Sequence, residues 1–356
     1  MTSRSVIIAV VVVVVAAVIA VSLLTIPLRQ QAGPTPSGKF RIALILPGSV
    51  TDSGWNAKMF IDAQKAAKDL DFELEVVEGV GQAGPAVDST IRSFAEKGFN
   101  IIVTWTIGHQ DAVLRIAPDF PNTFFVGVAF FKFNDLPNVV SAVDSIYQAA
   151  YLSGMVAGAV TKTNTIGFMG GQQFPTQNAV ANAFLEGAKR VNPNVKLIWA
   201  YNGVWDDVNK GRETALALIA RGADVIQLRG DGITLGGIQA CSLRGVFCVG
   251  DVADQNALSP QAVITSNVYD HTLLFKEIVE RYKAGTLAPK DPTNFDQHII
   301  WRYTLANGGA YIAPFYEQDS LVPQHVKDLI RQVIEDAKAG RFDVPFNGEP
   351  PAGEQA

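Results

Sequence analysis

The sequence predicts an α/β protein in which two similar lobes, each a doubly wound parallel sheet, follow an N-terminal membrane helix. Two observations predict the lobes. Short β-branched or aromatic runs alternate with amphipathic helical stretches, and this alternation restarts after Tyr147. The strand-like runs are continuously apolar, as buried parallel strands are. A third observation, an uncharged apolar run over residues 6–24, predicts the membrane helix.

The apolar run over residues 6–24 sets the location that we expect for the rest of the chain. A helix needs roughly 18–20 apolar residues to cross a hydrocarbon core, and the run has this length. Arg4 and the amino terminus put positive charge before it, which favours a cytoplasmic start and an extracytoplasmic remainder. The run exceeds a typical signal core and no Cys follows it to accept a lipid, so residues 6–26 are predicted to be a retained anchor or an uncleaved signal. A cleaved signal peptide is the alternative. Residues 27–38, rich in Gln, Gly and Pro, are predicted to be an extended linker.

Strands and helices are predicted in alternating order. The first lobe has predicted strands over 40–46, 72–78, 100–105 and 123–129, and helices over 56–70 and 85–97. The second lobe has predicted strands over 165–169, 196–201, 224–228 and 245–249, with helices between them. The strands are rich in β-branched and aromatic residues, whereas apolar positions recur at helical spacing in the stretch 56–70.

Composition and motifs exclude several classes of function. The formal net charge of −5 is mild and no basic patch is interleaved with aromatic residues, so nucleic acid is not an expected partner. The four His are scattered, both glycine-rich phosphate motifs are missing and no strand end pairs a nucleophile with a base. We therefore expect no metal, no cofactor and no enzymatic activity. Cys241 and Cys248 are spaced so that they allow one bridge in an oxidising compartment, and two buried small hydrophobic side chains are the alternative.

The ends of the predicted strands hold the candidates for a binding site, because open parallel sheets bind ligands beyond the carboxyl ends of their strands. These ends are 47–48, 105–109, 130–133, 170–174, 202–207, 229–232, 251–255 and 266–269, and they are rich in Gly, aromatic residues and carboxylates. Aromatic faces stack on a flat ring, and carboxylates accept hydrogen bonds from hydroxyl or amino groups. The sequence therefore predicts a site for a flat polar molecule.

Seven motifs occur in an order that resembles a known family. They are DSGWN at 52–56, Tyr-Leu-x-Gly-x-x-Ala-Gly at 151–158, IGFMGG at 166–171, EGAKRVNP at 186–193, WDDVNKGRETA at 205–215, RGADVIQLRGDGITLGG at 221–237 and DQNALSPQAVITS at 254–266. Together they resemble the basic membrane protein family of substrate-binding lipoproteins, whose best-known members are purine nucleoside receptors of ABC transporters. The resemblance covers nearly all of residues 39–346. It implies a type I periplasmic-binding-protein fold, whose two lobes are joined by a three-strand hinge and close on a ligand.

The resemblance also implies aromatic ligand contacts. The family's Asp-x-x-Phe-Asn motif corresponds to Asp52, Trp55 and Asn56, with Trp55 in place of a stacking Phe. Trp205 corresponds to the aromatic residue on the opposite side of the ligand. Both exchanges keep a π-face and enlarge it.

Charged groups at the implied site differ from those of the family. The acid that grips the ribose corresponds to Asp251, with Asp254 as an alternative because the segment 251–255 is one residue longer here. Tyr269 stands in place of a lysine and Pro47 in place of an early acid. We therefore expect fewer charged groups at the site than in the nucleoside receptors. We infer that Asp251 contacts ribose, since its carboxylate would otherwise lack a donor.

Trp105 and His109 complete the candidate site, because they flank a loop at the same edge of the predicted sheet. The candidates have structural alternatives. The tryptophans could pack a helix start or a lobe surface, Asn56 or Asp251 could cap a segment, and His109 could simply be solvated. Asp206 or Asp207 is expected to stabilise a helix amino terminus. The predicted ligand-binding residues are Asp52, Trp55, Asn56, Trp105, His109, Trp205, Asp251 and Tyr269.

The lobe boundaries and the implied function complete the prediction. The N-terminal lobe is predicted over 39–145 plus 267–292, the C-terminal lobe over 146–266 plus 293–346, and a tail over 347–356. The resemblance implies an extracytoplasmic, membrane-tethered solute-binding protein of an ABC importer. It would bind a purine nucleoside or a related nucleobase and deliver it to an ABC permease and its ATPase. A ligand-sensing receptor of the same fold, signalling through a partner, is the alternative.

Overall fold

Strands and helices alternate through most of the structure, a computed structural model that describes residues 39–128 and 134–356. The strands are β1 (Arg41–Ile45), β2 (Glu73–Val77), β3 (Ile101–Thr104), β4 (Phe124–Val128), β5 (Val139–Val143), β6 (Thr165–Gly170), β7 (Lys196–Tyr201), β8 (Val225–Arg229), β9 (Phe247–Val252), β10 (Val263–Tyr269), β11 (Ile299–Arg302), β12 (Ala310–Ile312) and β13 (Glu354–Gln355). The α-helices are α1 (Trp55–Leu70), α2 (Pro85–Glu96), α3 (Gln110–Ile116), α4 (Tyr147–Val160), α5 (Pro175–Val191), α6 (Val208–Ala220), α7 (Gly232–Arg244), α8 (His271–Lys283) and α9 (Gln324–Lys338).

The strands predicted from the sequence are confirmed, with ends shifted by a few residues. The sequence pattern did not predict β5 or β11 to β13, and it marked only the carboxyl end of β10, at 266–269. Of these, β11, β12 and β13 are short edge strands, for which a local pattern carries little signal. The anchor predicted over 6–26 and the linker predicted over 27–38 lie outside the described residues. Within 39–128 and 134–356, none of the helices combines the length and the apolar character that a membrane crossing needs.

The strands form two sheets with the same internal order. The first sheet runs β11-β5-β4-β3-β1-β2, and all its pairings are parallel. The second runs β12-β10-β9-β8-β6-β7-β13, with only the β10–β12 pair antiparallel. Each sheet contains the doubly wound order 2-1-3-4-5, so the prediction of an α/β fold with two parallel-sheet lobes is confirmed. The strand order reverses beside β1 and beside β6, where open sheets form ligand crevices.

The chain passes between the two sheets three times, after β5, after β10 and after β11. Sheet membership differs from the predicted boundaries at three places. Residues 267–269 belong to β10 of the second sheet, residues 299–302 form β11 of the first sheet, and 354–355 in the predicted tail pair with β7. The assignment of such short segments depends on the strand that they pair with, and this long-range contact leaves no local pattern.

Helices α4 and α5 pack at backbone contact distance. A Cβ atom added at Gly187 would lie 1.9 Å from the carbonyl oxygen of Tyr151, and one added at Gly154 would lie 2.1 Å from that of Phe184. Helix α4 is buried along most of its length. The glycines of the segment 151–158 therefore have a physical role, which is to let the two helices approach each other.

Cys241 and Cys248 lie in an apolar cluster of the second lobe. Both are fully buried and carry free thiols. Burial raises the pKa of the Cys248 thiol, and its hydrogen bond with Cys241 raises the pKa further. In this structure the two cysteines act as small buried hydrophobic side chains, which is the second of the two alternatives.

Candidate functional site

A cavity of about 360 Å³ lies where the strand ends of the two sheets face each other. One wall comes from segments that follow β1, β2, β3 and β5, and the other from segments that follow or end β6 to β9. Its volume falls in the range of about 300–1,000 Å³ that is typical of small-molecule sites. The aromatic lining residues are Trp55, Phe174 and Trp205, the charged ones are Asp144, Arg229, Asp231 and Asp251, and the amides are Gln82, Gln172 and Gln177.

Trp55 lines the cavity and is held from behind by Trp105. The two rings are stacked, with centroids 4.3 Å apart and an interplanar angle of 22°. Trp55 Nε1 donates to the Trp105 carbonyl oxygen at 3.0 Å, and Trp105 Nε1 donates to the Trp55 carbonyl oxygen at 2.9 Å. Trp105 is fully buried and supports Trp55 rather than lining the cavity itself. This reciprocal pairing fixes the orientation of the Trp55 indole.

Trp205 lines the opposite wall, and the backbone of the second lobe covers one side of its indole. A Cβ atom added at Gly171 would lie 2.1 Å from Trp205 Cε3, and one added at Gly230 would lie 3.6 Å from it. Phe174 packs against Trp205 edge to face, with centroids 6.1 Å apart. Glycine at 171 therefore provides the space that the indole occupies.

Asp52 and Asn56 shape the loop that presents Trp55. The Asp52 carboxylate accepts hydrogen bonds from the backbone N–H groups of Gly54, Asn56 and Ala57 at 2.8–2.9 Å, and from Asn56 Nδ2 at 2.7 Å. Asn56 Oδ1 accepts from the Gly48 N–H at 3.2 Å. These bonds satisfy free N–H groups in the first turn of α1. Both side chains hold the loop, and Asp52 rather than Asn56 accepts from the N–H groups of the helix.

His109 and Tyr269 are buried behind the cavity wall. His109 Nε2 lies 2.7 Å from the Gly81 carbonyl oxygen, and burial lowers the pKa of its ring. The Tyr269 hydroxyl donates to Asp144 Oδ1, and burial raises the pKa of this phenol, as does the neighbouring Asp144 carboxylate. Asp207, for which a capping role was expected, caps α6 by accepting from the Lys210 N–H.

Arg229 sits between two carboxylates at the cavity. Its Nη1 donates to both oxygens of Asp251, at 2.9 and 3.2 Å, and its Nη2 donates to Asp144 Oδ2 at 2.8 Å. Burial raises the pKa of Asp251 to about 6, although Arg229 opposes this shift. One premise was therefore wrong, because Asp251 already has a donor in the protein. The cavity also has a cation of its own, the Arg229 guanidinium.

Asp251 rather than Asp254 faces the cavity. Asp254 is exposed, accepts from the Asn256 N–H at 3.1 Å and from the Tyr316 hydroxyl at 2.5 Å, and is not among the lining residues. Val252, next to Asp251, has a φ of 66°, which is rare for a β-branched residue. Such a conformation costs about 1–3 kcal/mol and is found mostly at functional sites.

The walls meet at the loop 52–55. Gln255 Nε2 donates a hydrogen bond to the Ser53 carbonyl oxygen at 3.1 Å. The Asp231 carboxylate lies beside the same loop, since a Cβ atom added at Gly54 would be 3.6 Å from Asp231 Oδ1. Burial raises the pKa of Asp231 to about 8, and the charges of Asp52 and Asp206 raise it as well. The two lobes therefore touch directly beside Trp55.

Four aromatic or charged cavity residues were not singled out from the sequence: Asp144, Phe174, Arg229 and Asp231. Three of them lie within strand ends that the sequence analysis marked as a group, 170–174 and 229–232. Arg229 is the last residue of the apolar strand β8, and a charge in that position was an available signal. Asp144 follows β5, which was not predicted. Among the described residues, no group of side chains could hold a metal ion.

Comparison with known proteins decides the family. Residues 39–339 match the family described as ABC transporter substrate-binding protein PnrA-like, abbreviated Bmp. The chain belongs to this family. It is thus a substrate-binding protein of the ABC transporter type, in a family defined by binding and not by catalysis, and the resemblance seen in the seven motifs is confirmed.

Individual relatives of this substrate-binding protein carry different names. A purine-binding protein of Brucella abortus is 27% identical over 314 residues, which are 87% of this chain and 84% of that protein. The transcriptional activator protein Med of Bacillus subtilis is 27% identical over 261 residues, 73% of this chain and 80% of that protein. A solved ABC transporter solute-binding protein from Conexibacter woesei has a TM-score of 0.69 at 24% identity, covering 86% of this chain and 98% of that one. At this identity the structure shows a shared fold.

Proposed function

We propose that this protein binds a purine nucleoside, or a related nucleobase, in the cavity between its lobes, and that the lobes close on the ligand. The observation that carries the proposal is the pair of indoles on opposite walls, Trp55 and Trp205, each supported from behind. An aromatic slot of this kind matches a flat heteroaromatic ring, because stacking is favourable for any base with a π-face. The likeness to a purine-binding protein of Brucella abortus supports the same ligand class.

The carboxylate of Asp251 is the proposed contact for the sugar. It is almost completely buried, it lines the cavity, and Arg229 holds it in place. A carboxylate has about four lone-pair sites, so Asp251 can accept hydrogen bonds from ribose hydroxyls while it stays paired to the guanidinium. A nucleoside uses both the aromatic slot and this carboxylate, whereas a free base uses only the slot.

Closure and delivery are the remaining parts of the proposal. The contacts of Asp231 and Gln255 with the loop 52–55 would form as the lobes approach, and a bound ligand would favour them through its contacts with both walls. The apolar run over 6–26 would tether the protein to the membrane with its lobes outside the cell. An ABC permease and its ATPase would receive the ligand.

Calorimetric titration of the purified protein tests the ligand class. We expect adenosine, guanosine or inosine to bind, and to bind more tightly than the corresponding free base. Asp251→Asn should weaken nucleoside binding and leave binding of the free base unchanged. Failure of all three nucleosides and their bases to bind would overturn the proposal. If nucleoside and base bind with equal affinity, and Asp251→Asn changes neither affinity, Asp251 does not contact the ribose.

A ligand-sensing receptor that signals through a partner is the second candidate, and the likeness to the activator Med favours it. Both functions need a bound ligand, but they differ in the protein that recognises the closed form. Cross-linking in native membranes, followed by mass spectrometry, separates them. Recovery of an ABC permease and its ATPase supports import, and recovery of a different signalling protein supports sensing.

A further inference from the structure

We propose that Arg229 is the positioning residue that fixes the Asp251 carboxylate for the ribose hydroxyls of the ligand. The inference rests on the proposed function, since it assigns the residue that prepares the sugar contact of that same site. Arg229 itself is expected to act through Asp251 rather than through the ligand. It lies at the end of β8 and reaches towards the end of the neighbouring strand β9.

The guanidinium of Arg229 spans two carboxylates with separate N–H groups. Nη1 faces both Asp251 oxygens, at 2.9 and 3.2 Å, and Nη2 faces Asp144 Oδ2 at 2.8 Å. The three residues are 3%, 2% and 8% exposed, in the order Arg229, Asp251 and Asp144. Buried charges require such pairing, because each one loses its hydration. A lysine ammonium is a compact point charge and does not reproduce the planar fork that joins two acids.

The Asp144 carboxylate is itself held by hydrogen bonds, so the Arg229 guanidinium is fixed independently of Asp251. Asp144 Oδ1 accepts from the Ile146 N–H at 3.0 Å and from the Tyr269 hydroxyl. Asp144 directly follows β5, where the chain first passes between the sheets, and Tyr269 ends β10, where it passes back. The Tyr269 ring packs on Tyr303, with centroids 4.8 Å apart. Arg229 thus ties the cavity carboxylate to fixed points at the junction of the lobes.

The experiment compares inosine with 2′,3′-dideoxyinosine, which keeps the base and lacks the two hydroxyls. We expect the wild-type protein to prefer inosine by about tenfold or more, because hydrogen bonds to a charged carboxylate are strong. Arg229→Met removes the fork and keeps much of the side-chain volume. It should bring the ratio of the two dissociation constants close to one, while the affinity for the dideoxynucleoside stays within about threefold of wild type. The ratio for Arg229→Lys should lie between those of the wild type and Arg229→Met. The control Arg244→Met, which changes an exposed arginine of the same lobe, should have the wild-type ratio.

A purely structural role of Arg229 would weaken both ligands equally, and that result overturns the proposal. A wild-type ratio in Arg229→Met overturns it as well. A second measurement needs no ligand. The titration of the Asp251 carboxyl, followed by carbon NMR, should move to higher pH in Arg229→Lys, because the bidentate partner is lost. An unchanged midpoint overturns the positioning role even if no nucleoside binds, so its failure is distinguishable from failure of the proposed function.

Discussion

Trp55 and Trp205 carry the claim that a flat ring occupies the cavity, because they are the indoles that line it from opposite walls. Base–aromatic stacking is worth about 1–3 kcal/mol per base. Trp55→Ala and Trp205→Ala should therefore each weaken nucleoside binding by about one to two decades, as measured by calorimetry. Trp301→Ala is the matched control, since it removes an indole from β11 outside the cavity lining. Wild-type affinity in both cavity mutants would show that these indoles only pack against the protein.

Asp231 makes the stability of the fold depend on pH. Burial and the charges of Asp52 and Asp206 raise its pKa to about 8, well above the ordinary value of 3.8 that it regains on unfolding. Between these two values the folded protein holds a proton that the unfolded chain has released, so stability falls as pH rises from about 4 to about 8.

Asp231→Asn tests this linkage directly. The melting temperature of the wild-type protein should fall between pH 6 and pH 8.5, and the fall should be smaller in Asp231→Asn. Above about pH 6, Asp251 contributes little to the slope, because its pKa of about 6 lies at the lower edge of this window. The histidines are common to both proteins and cancel in the comparison. Equal slopes would contradict the raised pKa of Asp231.

The sequence sufficed for the aromatic half of the site and not for its charged half. Trp205 lies in a strand end, 202–207, where open parallel sheets bind ligands, whereas Trp55 was singled out only because its motif resembles that of the family. The partnership of Arg229 with Asp251 and Asp144 joins residues from β8, β9 and the segment after β5. Such a contact depends on the register of neighbouring strands, which no local pattern encodes. The resemblance pointed to a missing lysine at Tyr269, and only the structure shows that Tyr269 and Arg229 both bond to Asp144.

Helices α4 and α5 illustrate how a motif acts at the scale of an element. Their contact needs glycine at 154 and 187, where an added Cβ would lie 2.1 and 1.9 Å from a carbonyl oxygen, far inside van der Waals contact. The segment 151–158 contributed to the resemblance only as a sequence motif. The structure shows why the motif contains glycine. The sequence alone did not reveal this, because the facing helix begins only at residue 175.

Gly187→Ala should destabilise the protein by about 1–3 kcal/mol, the usual cost of overpacking, as measured by urea denaturation. The clash is with backbone, 1.9 Å from the Tyr151 carbonyl oxygen, so the two helices must move apart. Helix propensity alone predicts the opposite sign, since Ala is favoured over Gly by about 1 kcal/mol. Glu186→Ala, on the exposed side of the same helix, is the control. A stabilised Gly187→Ala variant would contradict the close packing of α4 on α5.

At the scale of the whole molecule, the repeated strand order of the two sheets places two crevices face to face. The alternation of strands and helices predicted parallel-sheet lobes, and its restart after Tyr147 predicted that there are two, whereas only the resemblance implied that they face each other across a ligand. The exact lobe boundaries could not be predicted from the sequence, because β11 joins the first sheet by pairing with β5, more than 150 residues earlier in the chain. The chain passes between the lobes three times, and these passages both connect the lobes beside the cavity and make the lobe boundaries hard to predict.

The central claim is that the two lobes close on a purine nucleoside, and small-angle X-ray scattering tests it most directly. The chain from residue 39 onward is measured alone and with saturating inosine or guanosine, after calorimetry has established that the nucleoside is bound. The account predicts a smaller radius of gyration in the bound sample, because contacts with both walls favour the closed form. An unchanged radius of gyration in a sample known to hold the ligand would contradict it.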